Sequence, residues 1–136
     1  MNQKVDVKKT VLGTVAYVVI SFITQALNHF VINQAHYAGI PFMREEPIMA
    51  LGLFTMLLQG AILSHVFLTL HRTGATMAEG LKYGLLMGLF LGSYIALVEP
   101  SKYTAPSVLS WIAVEGMASL LQFGVFGVVL AMINKR

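Results

Sequence analysis

Charge is almost absent from three long stretches of this chain. No Asp, Glu, Lys or Arg falls between Lys9 and Arg44 or between Glu46 and Arg72, and Glu115 is the only one between Lys102 and Lys135. A helix needs roughly 20 apolar residues to cross the hydrocarbon core of a bilayer, and each stretch exceeds that. The apolar pattern predicts four spanning helices, over about residues 10–33, 47–70, 77–98 and 106–133. Local punctuation supports these limits. Glu45 and Glu46 precede Pro47, placing acids and a first-turn proline where a helix N-terminus favours both. Thr76-Met77-Ala78-Glu79 has the spacing of a capping box, and Pro106 is placed to open the last helix. The connections at 34–46, 71–76 and 99–105 are too short for a second domain, so residues 1–136 are expected to form one. Short connections also make successive helices antiparallel neighbours. The expected fold is therefore all-α, an up-down bundle of four transmembrane helices.

Composition agrees with this. The chain of 136 residues is 57% hydrophobic and 11% charged, against about 25% charged in a soluble domain. Soluble enzymes and nucleic-acid modules are excluded on that ground. With no cysteine there is no thiol chemistry, no disulfide and no Cys-ligated metal. Lys4, Lys8 and Lys9 resemble the basic start of a signal peptide. The apolar run after them is longer than a usual h-region and no small-x-small cleavage site follows, so a retained anchor is expected.

The net charge of +3 reports topology rather than nucleic acid. Lys4, Lys8, Lys9, Arg72, Lys82, Lys135 and Arg136 fall on one side of the four spans, and Arg44 and Lys102 on the other. The excess of basic residues on the first side predicts a multi-pass protein of the cell membrane with both termini in the cytoplasm. Tyr17 and Tyr83 at one interface, with Tyr37, Tyr103 and Trp111 at the other, have the placement of aromatic belts.

Two patterns stand out inside the spans. Gly80, Gly84, Gly88 and Gly92 recur every four residues on the third helix, with Gly124 and Gly127 in a small-residue stripe on the fourth. Small residues let helix backbones approach closely, so both stripes are expected to be packing faces. The second pattern is polar. Glu115 is an ionisable group at membrane depth, costing about 3 kcal/mol on insertion scales, and should face protein or water. Trp111, Ser119 and Gln122 share its face at 100° per residue. The first helix carries a matching stripe with Gln25, Asn28, His29 and His36. Counted from the helix ends at 1.5 Å per residue, Glu115, Asn28, His29 and Tyr94 reach similar depths. A buried polar or ligand site of Glu115, His29, Asn28, Gln25, Tyr94 and Gln122 is thus predicted. His29 and His65 differ in depth, and His29 and His36 stand two helical turns apart, about 10 Å, so no metal or haem cofactor is expected.

Two resemblances bear on this. Four helices with one embedded glutamate resemble the small multidrug exporters, but that family's essential glutamate is in the first helix, which here has none. The glycine-rich third helix and the Trp111, Glu115, Gln122 and Gly124 pattern resemble small bacterial four-helix integral membrane proteins classed as a domain of unknown function. That resemblance covers the C-terminal half and implies the fold, not an activity. Small size, minimal loops and two packing faces favour an accessory or structural subunit, packing in the bilayer as a homo-oligomer or against partner membrane proteins. The alternative is a proton-linked transporter or small-molecule-binding bundle centred on Glu115. No catalytic motif is recognised, which places an enzyme last.

Overall fold

The computed structural model describes residues 4–136; residues 1–3 of the expected domain lie outside the described residues. Helix α1, Val7–Leu27, continues through a π-helical turn at Asn28–Ile32. The short α2, Gln34–Ala38, follows, and then α3, Met49–Leu70. Helix α4, Met77–Ser93, runs through a second π turn at Tyr94–Val98 into the short α5, Glu99–Lys102. Helix α6, Val108–Ile133, completes the chain. Four of these rods are long and apolar enough to cross a membrane. The fold is an all-α bundle, and the chain is a small multi-pass membrane protein. Its surface is correspondingly inverted: Phe30, Phe90 and Leu109 are each more than two-thirds exposed, as side chains facing lipid are.

Side-chain caps decide where the helices begin. Asp6 accepts a hydrogen bond from the Lys9 amide at 3.2 Å, so α1 starts three residues earlier than the apolar run suggests. The capping box at Thr76 and Glu79 forms, each side chain bonding the other's backbone N–H. Pro47 and Pro106 do not open helices. Ser107 accepts from the Ser110 amide at 3.2 Å, which starts α6 at Val108, beyond Pro106. Helix α3 starts at Met49, two residues beyond Pro47.

Both ends of the described chain meet at one end of the bundle. Lys9 donates to the Asn134 side chain at 2.7 Å, and Asn134 donates to the His71 carbonyl at 2.7 Å. Contact is most extensive between α4 and α6, followed by α1 with α3 and then α1 with α6. The glycine ladder is the reason for the first. A Cβ on Gly80 would strike the Gly127 backbone, and one on Gly84 the Phe123 carbonyl. Gly88 lies against the Phe123 side chain and the Ser119 carbonyl, and Gly92 against the Ser119 side chain. Bare backbones in contact gain dispersion energy that larger side chains would prevent. Gly124 lies off this seam, with only the tips of Leu81 and Leu85 near it.

Helices α3 and α4 share no comparable seam. They meet toward the terminal end, where Tyr83 donates to the Leu63 carbonyl at 2.7 Å and its ring packs on Phe67 at 5.1 Å. The bundle is thus closed by Tyr17, Phe67, Tyr83 and Phe126 near the termini. The aromatic belts are not formed as expected. Tyr17, Tyr37, Tyr83 and Trp111 are all buried, and of the five rings only Tyr103 is exposed. Each buried ring finds a hydrogen-bond partner inside the bundle, which a lipid-facing position would not supply.

Candidate functional site

The polar side chains of α1 and α6 meet as two separate groups rather than one. The deeper group is built on Gln122, which is buried. Its amide nitrogen donates to the Ser21 hydroxyl at 2.9 Å, and its carbonyl oxygen accepts from the Gln25 amide at 2.8 Å. The Thr24 hydroxyl stands 3.3 Å from the same oxygen. Alongside, the Tyr17 hydroxyl donates to the Gln59 side chain at 2.6 Å, tying α1 to α3. These bonds cross between helices at mid-depth, where water is not available to satisfy the groups.

The second group lies toward the far end and depends on a break in helix geometry. The π turn over Asn28–Ile32 and the departure from helical backbone at Asn33 (φ −118°, ψ 31°) redirect the chain into α2. Tyr37 is thereby turned back onto the bundle. Its hydroxyl donates to Glu115 Oε1 at 2.7 Å and accepts from the Asn28 amide at 2.7 Å. Asn33 in turn donates to Asn28 Oδ1 at 2.5 Å. Burial, reinforced by the adjoining Glu115 carboxylate, holds the Tyr37 hydroxyl well above the usual phenol range, which keeps it a donor. The His29 ring stacks on Tyr37 with centroids 3.6 Å apart. His36 Nε2 is 3.6 Å from Glu115 Oε1, and its ring meets Trp111 edge-on at 5.5 Å.

Gln25 and Gln122 are therefore joined directly, Asn28 reaches Glu115 through Tyr37, and His29 flanks that chain. Tyr94 is not brought to Glu115: it is exposed and accepts a hydrogen bond from Lys102 at 2.9 Å. Tyr94 instead shares the lining of a cleft with Gln25 and Gln122. His29 and His36 also differ from their expected separation, because the helix between them is not continuous; both rings pack on Tyr37. His65 is exposed on α3. Among the described residues no three His, Asp or Glu side chains converge in a metal-binding arrangement.

Sequence reasoning missed Tyr37 and His36 as partners of Glu115, and Tyr17 and Gln59 as a pair. Tyr37 lies in the 34–46 segment, which the apolar pattern reads as a connection. The Asn33 and Gly39 bracket around Gln34–Ala38 was the available sign of a short separate helix.

Between α3 and α4, on the side away from the termini, the bundle opens into a cleft of about 580 Å³. Gly52, Thr55 and Gln59 of α3 form one wall, and Leu91, Gly92, Tyr94 and Ile95 the other. Its floor is Tyr17, Ser21 and Gln25 of α1 with Ser119, Gln122 and Phe123 of α6. No Asp, Glu, Lys, Arg or His lines it. Glu115 itself is outside the cleft, beyond the Gln25–Gln122 pair. Comparison with protein-family models, curated proteins and solved structures finds no match to this chain.

Proposed function

We propose that this protein is a membrane-embedded binding bundle for a small molecule, held in the cleft between α3 and α4. The cleft, with the Gln25–Gln122 pair in its floor, carries this reading. Its volume is in the range of small-molecule sites, and its walls are apolar with a few convergent polar groups, the composition such sites share. The site centres on Gln25 and Gln122 instead of Glu115. Glu115 has a holding role: through Tyr37 it ties the turn after α1 to α6. The accessory-subunit reading rests on small size, minimal loops and two packing faces, and the glycine ladder is not left over as a further face for partners. That face is occupied within the chain by α6, so Gly80, Gly84, Gly88 and Gly92 offer nothing to a second protein.

The test is to purify the full chain from expressing membranes and record native mass spectra. A small molecule should remain bound to the unmodified protein and be lost from Gln122→Leu. A protein subunit co-purifying at fixed stoichiometry, with the cleft empty, would favour the accessory reading and reject this one.

The basic excess at the terminal end supports a cell-membrane protein whose termini are cytoplasmic and whose cleft opens in the outer half of the bilayer. Cysteines introduced at the exposed Ala38 and Lys102 should react with an impermeant maleimide added outside intact cells. Labelling of both only after the cells are opened would reverse the orientation.

A further inference from the structure

We propose that the molecule held in the cleft is a neutral amphiphile with a hydroxyl-bearing head, entering sideways from the bilayer. This rests on the binding reading above and adds the chemical class of the ligand.

The charge of the ligand follows from the walls. No side chain that is charged near neutral pH lines the cleft. A phosphate or ammonium head on the floor would lose its hydration and find no counter-charge among the lining residues; the cation that touches a wall, Lys102, is exposed and already donates to the Tyr94 hydroxyl. A neutral head has no such penalty.

Its hydrogen-bonding character follows from what the floor leaves open. Gln122 has both ends of its amide engaged, by Ser21 and by Gln25. Gln25 uses its nitrogen in that bond, and its carbonyl oxygen has no partner among the described residues. Gln59 uses its oxygen to accept from Tyr17, and its nitrogen likewise has no partner among the described residues. Both side chains line the cleft. The lining therefore offers both acceptor capacity, at the Gln25 oxygen, and donor capacity, at the Gln59 nitrogen, with the Ser119 hydroxyl also free of a partner among the described residues. A hydroxyl matches that pair because it donates and accepts through one atom, whereas a bare carbonyl can only accept. Groups left unmatched in an apolar surrounding are destabilising, so the pairing discriminates.

The route follows from the edges of the opening. Leu51 and Ile95 are exposed on the two lips, on surfaces that face lipid. An alkyl chain can remain between those lips, in hydrocarbon, while the head reaches the amides. Gly52 keeps one lip low, since nothing lies within 4 Å of where its side chain would stand.

The experiment uses the full chain in phosphatidylcholine vesicles containing a diazirine-tagged diacylglycerol or a phosphatidic acid with identical chains. Crosslinks are mapped to the α3 and α4 lips and compared with those at Leu109 and Leu121, which face lipid on α6. Diacylglycerol should label the lips at least fivefold above that reference, and phosphatidic acid should not exceed it. Unlabelled dioleoylglycerol should compete on the unmodified protein, where unlabelled dioleoyl phosphatidic acid should not. Gln25→Leu with Gln59→Leu should abolish the preference in protein that still elutes as a folded monodisperse species. Equal labelling of the lips by both probes, above the reference, would overturn the neutral-hydroxyl assignment and leave the binding site standing. Labelling no higher than the reference with either probe, and no molecule retained in native mass spectra, would overturn both.

Discussion

Leucine in place of Gly84 separates α4 from α6 and lowers stability by about 3 kcal/mol or more, at the upper end for overpacked interiors. A side chain there meets the Phe123 carbonyl immediately, with the Phe123 carbonyl carbon 2.9 Å and Gly127 Cα 3.1 Å from its first atom. These are backbone atoms of the facing helix, so no rotamer change relieves the clash. The helices must move apart, and that also breaks the approaches at Gly80 and Gly88. Gly116→Ala is the matched control. Its Cβ would have Ala96 as nearest neighbour at 3.9 Å, and alanine gains about 0.5–1 kcal/mol of helix propensity over glycine. Thermal denaturation in detergent, followed by circular dichroism, should show Gly84→Leu far below the unmodified protein and Gly116→Ala equal to it or above. If Gly84→Leu melts with the unmodified protein, the α4–α6 seam is wrong.

The second large effect is expected at Glu115, and the contrast between two substitutions carries it. Glu115→Ala removes the acceptor for Tyr37, whose hydroxyl is also the acceptor for Asn28. Leaving that buried chain incomplete costs about 1–3 kcal/mol. The loss should be local. Backbone amides of α2 and the adjoining Asn33 should lose protection from hydrogen exchange, while those of the α4–α6 seam keep theirs. Glu115→Gln retains a carbonyl oxygen for Tyr37 and should keep most of the protection. It should also leave ligand retention unchanged, because Glu115 lies outside the cleft. Loss of binding in Glu115→Gln with α2 still protected would return Glu115 to the centre of a proton-linked site.

Much of the architecture was legible in the residue pattern. Three long charge-poor stretches and the apolar run over residues 77–98 leave little choice but four spanning helices, because an unsatisfied backbone in hydrocarbon is too costly. The capping box at Thr76 and Glu79 was visible for a similarly local reason: its partners are three residues apart. Gln25, Asn28, His29, Gln122 and Glu115 could be selected as interior groups because each is polar in an apolar span.

Their pairing was a different matter. Depth counting assumes straight helices, and two π turns, at Asn28–Ile32 and Tyr94–Val98, break that assumption where it was used. The first brings Tyr37 onto Glu115, while Tyr94, where the second begins, pairs with Lys102 instead. The buried aromatic rings were misplaced for a related reason. A tyrosine near a helix end suits the membrane interface and the interior equally well, and only a specific partner decides between them. For Tyr17 that partner is Gln59, 42 positions along the chain. Nor does any residue type announce that α3 and α4 part company, since a cleft is a property of two surfaces that fail to touch. The hydropathy of single residues determined that the chain lies in the membrane and how often it crosses. Which polar groups meet there, and where the bundle opens, depended on bends and distant contacts that only the tertiary structure supplies.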